Sequence, residues 1–315
     1  MRRQFIFLLL GLSLLVIPVL AQDDAPETTP EATPELDELT PTYSVEGDGV
    51  VLDVYFGSLQ QGRVGLLGLV GDDIASATAN LGVRNFDFYA LPERDGWWTL
   101  VSLSMEQTIR QYDLTVTVEQ EDADEPQVLL TRFNVTSGGF IQQSVNLVPD
   151  DTLAQLLDPE VEAAELALIF QRASDSDTEA QWSENGFGAP LQAELTSPFG
   201  AVRVFNETLN TVHTGWDFNS PTGAPLQSSE AGTVAFSGLL PIRGNYVLVN
   251  HGRGVYSGYA HMSVIYVTEG QKVSAGQVLG LVGSTGRSSS AHAHFEMIVA
   301  GEWVDPVDFL LMPLP

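Results

Sequence analysis

Apolar and polar residues alternate between residues 112 and 118: Tyr112, Leu114, Val116 and Val118 take one set of positions, Asp113, Thr115 and Thr117 the other. Successive side chains of a strand point to opposite faces, so this period of two predicts a half-buried β-strand. The runs Val50–Phe56 and Trp97–Val101 predict further strands, and Gly, Asn and Asp punctuate them at the spacing of a sandwich. Residues 43–150 therefore read as an all-β sandwich, immunoglobulin-like in architecture. Trp97 and Trp98 fit core and edge positions of such a sheet better than an exposed platform for sugar rings.

The pattern changes after residue 150. Asp158-Pro159-Glu160 has the form of a helix start, with Asp as N-cap, Pro in the first turn and acids beside it. Val161, Leu166, Leu168, Ile169 and Phe170 supply a buried stripe, and the helix is expected to end near Arg172, before a polar stretch reaching Glu184. Residues 151–190 thus read as a helical connector. From 191 to 315 strand-like runs return, as in Val247–Asn250 and Val278–Val282, with frequent Gly and no long helical period. The fold class expected is mostly β, a sandwich followed by a second compact β-sheet or barrel-like domain.

The first residues change the picture of where the chain works. Arg2 and Arg3 precede a mostly apolar run from Phe5 to Leu20, and Val19-Leu20-Ala21 offers small residues for cleavage, so residues 1–21 read as a secretory signal. The run is short for a membrane span, and no stable span is expected once it is removed. Residues 22–42 are rich in Pro, Thr and Glu without a basic residue, and read as a disordered acidic spacer. The protein is expected outside the cytoplasm, secreted or in the cell envelope.

Charge and cysteine count narrow the chemistry. The chain of 315 residues carries 13 basic against 41 acidic residues, a net charge of -28, which excludes a nucleic-acid partner that needs clustered cations. With no cysteine there is no disulfide, thiol nucleophile, thiolate zinc site or lipid-modified N-terminal Cys. Any metal must be held by His, Asp or Glu, and all 5 histidines fall in the last third: His213, His251, His261, His292 and His294.

His292 and His294 are two apart and would share one face of a strand. His213 and Asp217 are four apart, but Gly215 between them and Pro221 after them argue for a bent strand or loop instead of a helix. A catalytic zinc takes three protein ligands and keeps one position open, and His213, Asp217 and one of the His292/His294 pair would complete that set. His251 lies in Asn250-His251-Gly252-Arg253-Gly254, which reads as a turn, and is expected to be structural or peripheral. Glu296, two beyond His294, could face the same side.

Taken in order, Ser197–Arg203, His213-Thr214-Gly215-Trp216-Asp217, Gly244-Asn245-Tyr246-Val247, Asn250–Gly254, Tyr259-Ala260-His261-Met262, Gly270–Val273, Gly283-Ser284-Thr285-Gly286 and His292-Ala293-His294-Phe295-Glu296 resemble the LytM/lysostaphin-like zinc endopeptidases, peptidase family M23. The likeness runs from about Ser197 to Phe309. It implies one Zn2+ per chain on His213, Asp217 and His294, with His261 and His292 as catalytic histidines beside it. It places Arg203 and Asn245 at recurrent positions near the groove, where they would touch the metal ligands or the substrate, and gives Glu296 no catalytic role. The implied substrate is peptidoglycan, through its stem peptides or cross-bridges.

The chain departs from the family in one place: Ser290-Ala291-His292-Ala293-His294 stands where Gly-Pro-His-Leu-His is usual, which bears on substrate fit and not on the metal. Two other readings remain: a non-catalytic wall-binding module, and a regulator of other wall hydrolases such as family members that have lost metal ligands. All five active-site residues are present here, which argues against the second. Gly270–Gln277 also resembles barrel turns of biotinyl and lipoyl carrier domains, a likeness of β-geometry only.

Overall fold

The computed structural model describes residues 39–314 apart from 92–95, 122, 146, 148–152, 176–178, 184 and 208. The signal expected at 1–21 and most of the spacer expected at 22–42 lie outside the described residues.

Alternation places the first core. Leu114, Val116 and Val118 are 0 % exposed on strand Gln111–Gln120, whose intervening residues face outward. One sheet runs Ser58–Gln60, Gln127–Thr136, Gln111–Gln120, Ile74–Leu81, Arg84–Asp87. The other runs Tyr43–Glu46, Val50–Val54, Val64–Gly71, Trp97–Ser102, Tyr89–Ala90. Leu52, Leu67 and Leu69 from the second meet Val116, Val118 and Phe133 from the first in one apolar layer, which makes the pair a sandwich. Trp97 packs on that layer, while Trp98 leans on Tyr55 with ring centroids 5.5 Å apart. Phe133 is 1 % exposed and meets Phe56 edge-on at 5.3 Å. Truncating it to alanine leaves a cavity, and Phe133→Ala is expected to lose about 3–5 kcal/mol in urea unfolding; a loss under about 1 kcal/mol would mean the core recloses.

One strand breaks the expected division. Gln142–Val145 pairs in parallel with Val202–Phe205, itself antiparallel to Leu209–Val212. The span 43–150 read as sandwich therefore ends in a strand that belongs to a separate three-stranded sheet. Three of its four residues are polar and it lies at an edge, so it left no alternation to detect.

The connector holds the expected helix, Pro159–Arg172, capped by the Asp158 carboxylate accepting from Glu160 N at 2.8 Å. Ile169 is buried, and Leu166, Leu168 and Phe170 pack partly against the same cluster as Tyr246 and Trp303. No helix among the described residues is long and apolar enough to cross a membrane.

The C-terminal part is built on one antiparallel sheet. Its order is Leu195–Ser197, Gly215–Phe218, Ala293–Val299, Val255–Met262, Gly244–Gly252, Gly232–Leu240, Lys272–Val273, with Glu302–Val304 also on Ala293–Val299. Every residue of Ala293–Val299 and Val255–Met262 is buried, so these central strands are covered on both faces. Gly215 opposes Glu296, and a Cβ there would sit 2.1 Å from the Phe295 carbonyl oxygen. The close approach of these two strands needs glycine, and they are the strands that carry Asp217 and His294.

Candidate metal and catalytic centre

Register brings the first two groups together. Asp217 and His294 are direct cross-strand partners, and Ala260 flanks His294 on the other side. His213 enters from the turn between Leu209–Val212 and Gly215–Phe218, held by its backbone N–H on Ala201 O (2.9 Å) and its carbonyl on Gly200 N (2.8 Å).

The three side chains form a triangle. His213 Nε2 lies 2.9 Å from His294 Nδ1 and 3.0 Å from Asp217 Oδ1, and His294 Nδ1 is 3.0 Å from Asp217 Oδ1. Their tautomers follow from the outer partners. Pro198 O can only accept, so His213 donates from Nδ1 at 2.8 Å and keeps a lone pair on Nε2. The Glu296 carboxylate likewise takes the Nε2 hydrogen of His294 at 3.0 Å, leaving the lone pair on Nδ1. Three electron-pair donors therefore converge where mutual repulsion favours a cation. Two neutral imidazoles and one carboxylate suit a divalent transition metal, so the residues present fit such an ion.

Electrostatics agree with deprotonated donors at His213 and Asp217. Burial pushes His213 down to about 4, against the pull of Asp217. Burial alone would raise the Asp217 carboxyl, but His213, His294 and Arg203 outweigh it and hold it well below the usual carboxylate range. Burial also opposes charge on His294, yet Asp217 and Glu296 overcome it and raise this imidazole. In the absence of a cation, a proton on His294 Nδ1 would relieve the same repulsion.

Two more imidazoles stand beside the triangle. His261 donates Nδ1–H to Thr285 O at 2.7 Å, and His292 donates Nδ1–H to Ser290 O at 2.8 Å, so each keeps its lone pair on Nε2. Their rings lie 4.8 Å apart, and His292 Nε2 is 3.6 Å from Asp217 Oδ1. His261 adopts a left-handed backbone, φ 58°, beside a register shift between Gly244–Gly252 and Val255–Met262. A bulge of this kind re-aims a side chain that a regular strand would send elsewhere. Burial, with His292 and His294 alongside, pushes His261 well below its ordinary value, and burial lowers His292 too. The turn that lacks Gly and Pro still supplies the Ser290 carbonyl that orients His292.

Arg203 bonds the triangle directly, and Asn245 bonds the backbone next to His261. Arg203 Nη2 donates to Asp217 Oδ2 and, at 2.7 Å, to Ser197 Oγ, so it fixes the carboxylate that faces the triangle. Asn245 Nδ2 bonds the Met262 carbonyl at 3.0 Å and so braces the backbone behind His261. Beside the triangle is a recess of about 330 Å³, lined by Gln143, Arg203, Asp217, Asn219, His292 and the 288–291 turn.

Glu296 faces His294, as its spacing of two suggests, and it gathers groups that escaped sequence reasoning. Glu296 is 0 % exposed and binds Arg243 Nε (2.8 Å) and Nη2 (2.9 Å), Tyr246 OH (2.6 Å) and Thr214 Oγ1 (2.7 Å) besides His294. Arg243 is bonded in turn to Glu165 of the connector helix. Arg287 forks onto Glu162 of the same helix with two bonds of 2.8 Å and lies over Phe205. Arg243 and Glu296 each stand as a lone charge in an otherwise apolar stretch, which was their signal; Glu162 and Glu165 sit among other acids and Arg287 among serines, and gave none.

His251 lies at the far end of the strand that carries Asn245, 0 % exposed. Ser229 N donates to Tyr259 OH, which leaves the phenol to donate to Ser257 Oγ, and Ser257 to donate to His251 Nε2; His251 Nδ1 donates to Ala231 O. The ring is thus held neutral, and burial pushes it down to about 4 from an ordinary 6.5. Between those values the unfolded chain binds the extra proton, so stability present above pH 6.5 is lost as pH falls towards 4, by about 3 kcal/mol at ~1.4 kcal/mol per unit. Metal-free protein is expected to lose less stability between pH 7 and 4.5 when His251→Asn removes this group. Parallel acid-unfolding curves for the two proteins would refute that share.

Three convergent donors with two further imidazoles, set on an antiparallel sheet, form a candidate metallopeptidase centre. Residues 211–306 match peptidase family M23, and this part of the chain is an M23 peptidase domain. The chain is 39 % identical over 145 residues to the DD-carboxypeptidase/endopeptidase Mpg of Neisseria meningitidis, covering 45 % of this chain and 33 % of that protein. It is 43 % identical over 103 residues to the peptidoglycan DD-endopeptidase ShyA of Vibrio cholerae, covering 33 % of this chain and 23 % of the relative. The chain thus spans about a third or less of the length of these relatives. A crystal structure described as a peptidase M23 from Pseudomonas aeruginosa superimposes with a TM-score of 0.58 at 25 % identity, covering 79 % of this chain and 94 % of that one. That likeness extends beyond the peptidase domain.

Proposed function

We propose that the protein is a zinc metalloendopeptidase that hydrolyses peptide cross-links of peptidoglycan outside the cytoplasm. The observation that carries this reading is the convergence of His213 Nε2, Asp217 Oδ1 and His294 Nδ1 on one point, with the Nε2 side of two neutral imidazoles next to it. His213, Asp217 and His294 would hold the ion, and Arg203 and Glu296 would orient two of these ligands from outside. Zinc there supplies Lewis acidity, which lowers the pKa of a water and polarises a peptide carbonyl.

The chain's own residues supply the proton chemistry. His261 and His292 sit with lone pairs on Nε2, placed to take a proton from the attacking water; once protonated there, Nε2–H can donate to the developing oxyanion or pass the proton to the departing amine. The anchoring carbonyls of Thr285 and Ser290 prevent either ring from flipping its tautomer. Peptidoglycan as substrate, and a place in the envelope, draw support from the DD-endopeptidase relatives and from the signal-like residues 1–21.

The test is to incubate zinc-loaded protein with purified sacculi and follow new amino groups by mass spectrometry, with a chelator control. Chelator-sensitive cleavage of peptide bonds supports the proposal and identifies the bond. Zinc binding without cleavage across several wall types would favour the regulator or wall-binding alternative.

A further inference from the structure

The helix Pro159–Arg172 precedes the stretch that matches the M23 family, yet it turns one carboxylate inward. Glu165 is 4 % exposed on a connector whose acids belong in water. Its oxygens accept the backbone N–H of Ile242 at 2.6 Å, the N–H of Arg243 at 3.0 Å and Arg243 Nη1 at 3.2 Å. Arg243, 6 % exposed, then forks onto both oxygens of Glu296, and Glu296 takes the Nε2 hydrogen of His294. The guanidinium also lies 5.1 Å over the Trp303 ring. A planar fork bonded on two edges has one orientation, so each member sets the next.

We propose that Arg243, clamped by Glu165, is a positioning residue of the metal centre: the relay Glu165–Arg243–Glu296 fixes the plane and tautomer of His294, so metal affinity depends on a helix that lies before the peptidase domain. Without Glu165 the guanidinium loses the partner on its Nη1 edge and the anchor for its own backbone. Glu296 then keeps Tyr246 and Thr214 but loses a fixed cationic partner, and the acceptor that aims His294 Nδ1 is less firmly placed. The neutral hydroxyls of Tyr246 and Thr214 do not replace Arg243, because a fully buried carboxylate needs a cationic partner to stay charged in place. The inference rests on the metal reading of the site and not on the substrate.

The experiment measures zinc affinity of the whole protein by competition with a chromophoric chelator, together with the melting temperature of the metal-free form. Glu165→Ala and Arg243→Lys are expected to bind zinc about 10–100-fold more weakly. Phe133→Ala, in the sandwich core, lowers the melting temperature as much or more but leaves zinc affinity unchanged. A merely structural role would move only the melting temperature. Should Glu165→Ala fail to fold, Glu165→Gln, which keeps the shape but presents an amide N–H₂ to one of the same donors, is expected to weaken zinc in the same direction. Wild-type affinity in the folded Glu165 and Arg243 variants overturns the proposal, as does a wild-type protein that binds no zinc. If wild type binds zinc, Glu165→Ala weakens it and no peptidoglycan is cut, the relay stands and the proposed substrate falls.

Discussion

His294→Ala is expected to abolish stoichiometric zinc binding and to cut the rate of peptide hydrolysis at least about a thousandfold. The site has three protein donors within 3.0 Å of one another, and a tetrahedral zinc with one open position needs all three. Losing one leaves a two-ligand site in which water must take a protein position. The polarising contribution of the ion is several kcal/mol, and each ~1.4 kcal/mol is tenfold in rate. The change also strands the Glu296 carboxylate, which loses the imidazole N–H at 3.0 Å but keeps Arg243, Tyr246 and Thr214. The fold should therefore survive, and the loss should read as function. Metal content by elemental analysis, alongside the sacculus assay, checks both halves. A His294→Ala protein that retains one zinc per chain would remove this residue from the ligand set.

The sequence showed this site as pieces and left the geometry that joins them to the fold. Spacing of two put His292 and His294 on one face, and both do reach the same oxygen of Asp217, one at 3.6 Å and the other at 3.0 Å. What spacing could not say is which of them completes the triangle. That depends on the register of Ala293–Val299 against Gly215–Phe218, a tertiary fact. The same limit appears in the strands. The alternation at 112–118 was legible because one face of that strand looks to water, whereas Ala293–Val299 is buried on both faces and carries no period. Gln142–Val145 was missed for the opposite reason, a mostly polar edge strand with nothing to bury. Glu165 and Arg243 stayed hidden because a charged residue is assigned to solvent unless its partners are known, and those partners are distant in the chain: Glu165 to Arg243, and Arg243 to Glu296.

His261→Ala and His292→Ala should separate catalysis from metal binding. Neither ring belongs to the convergent triangle, so both variants are expected to keep zinc at wild-type affinity while the rate falls about 10²–10⁴-fold, the usual contribution of positioned acid–base groups. His261 should show the larger loss. It is 6 % exposed on a left-handed backbone that aims its ring at the site, so bulk solvent has little direct access to the position it serves. His292 has a side chain 15 % exposed on a serine-rich turn, where solvent can carry protons in its stead. If the two imidazoles handle the same proton in succession, the double variant will be little slower than His261→Ala alone, because removing one already breaks the path. Multiplicative losses would instead mean separate tasks, one ring serving the attacking water and the other the oxyanion or leaving amine. Loss of zinc from either single variant would contradict the division of roles, since it would make that ring a ligand.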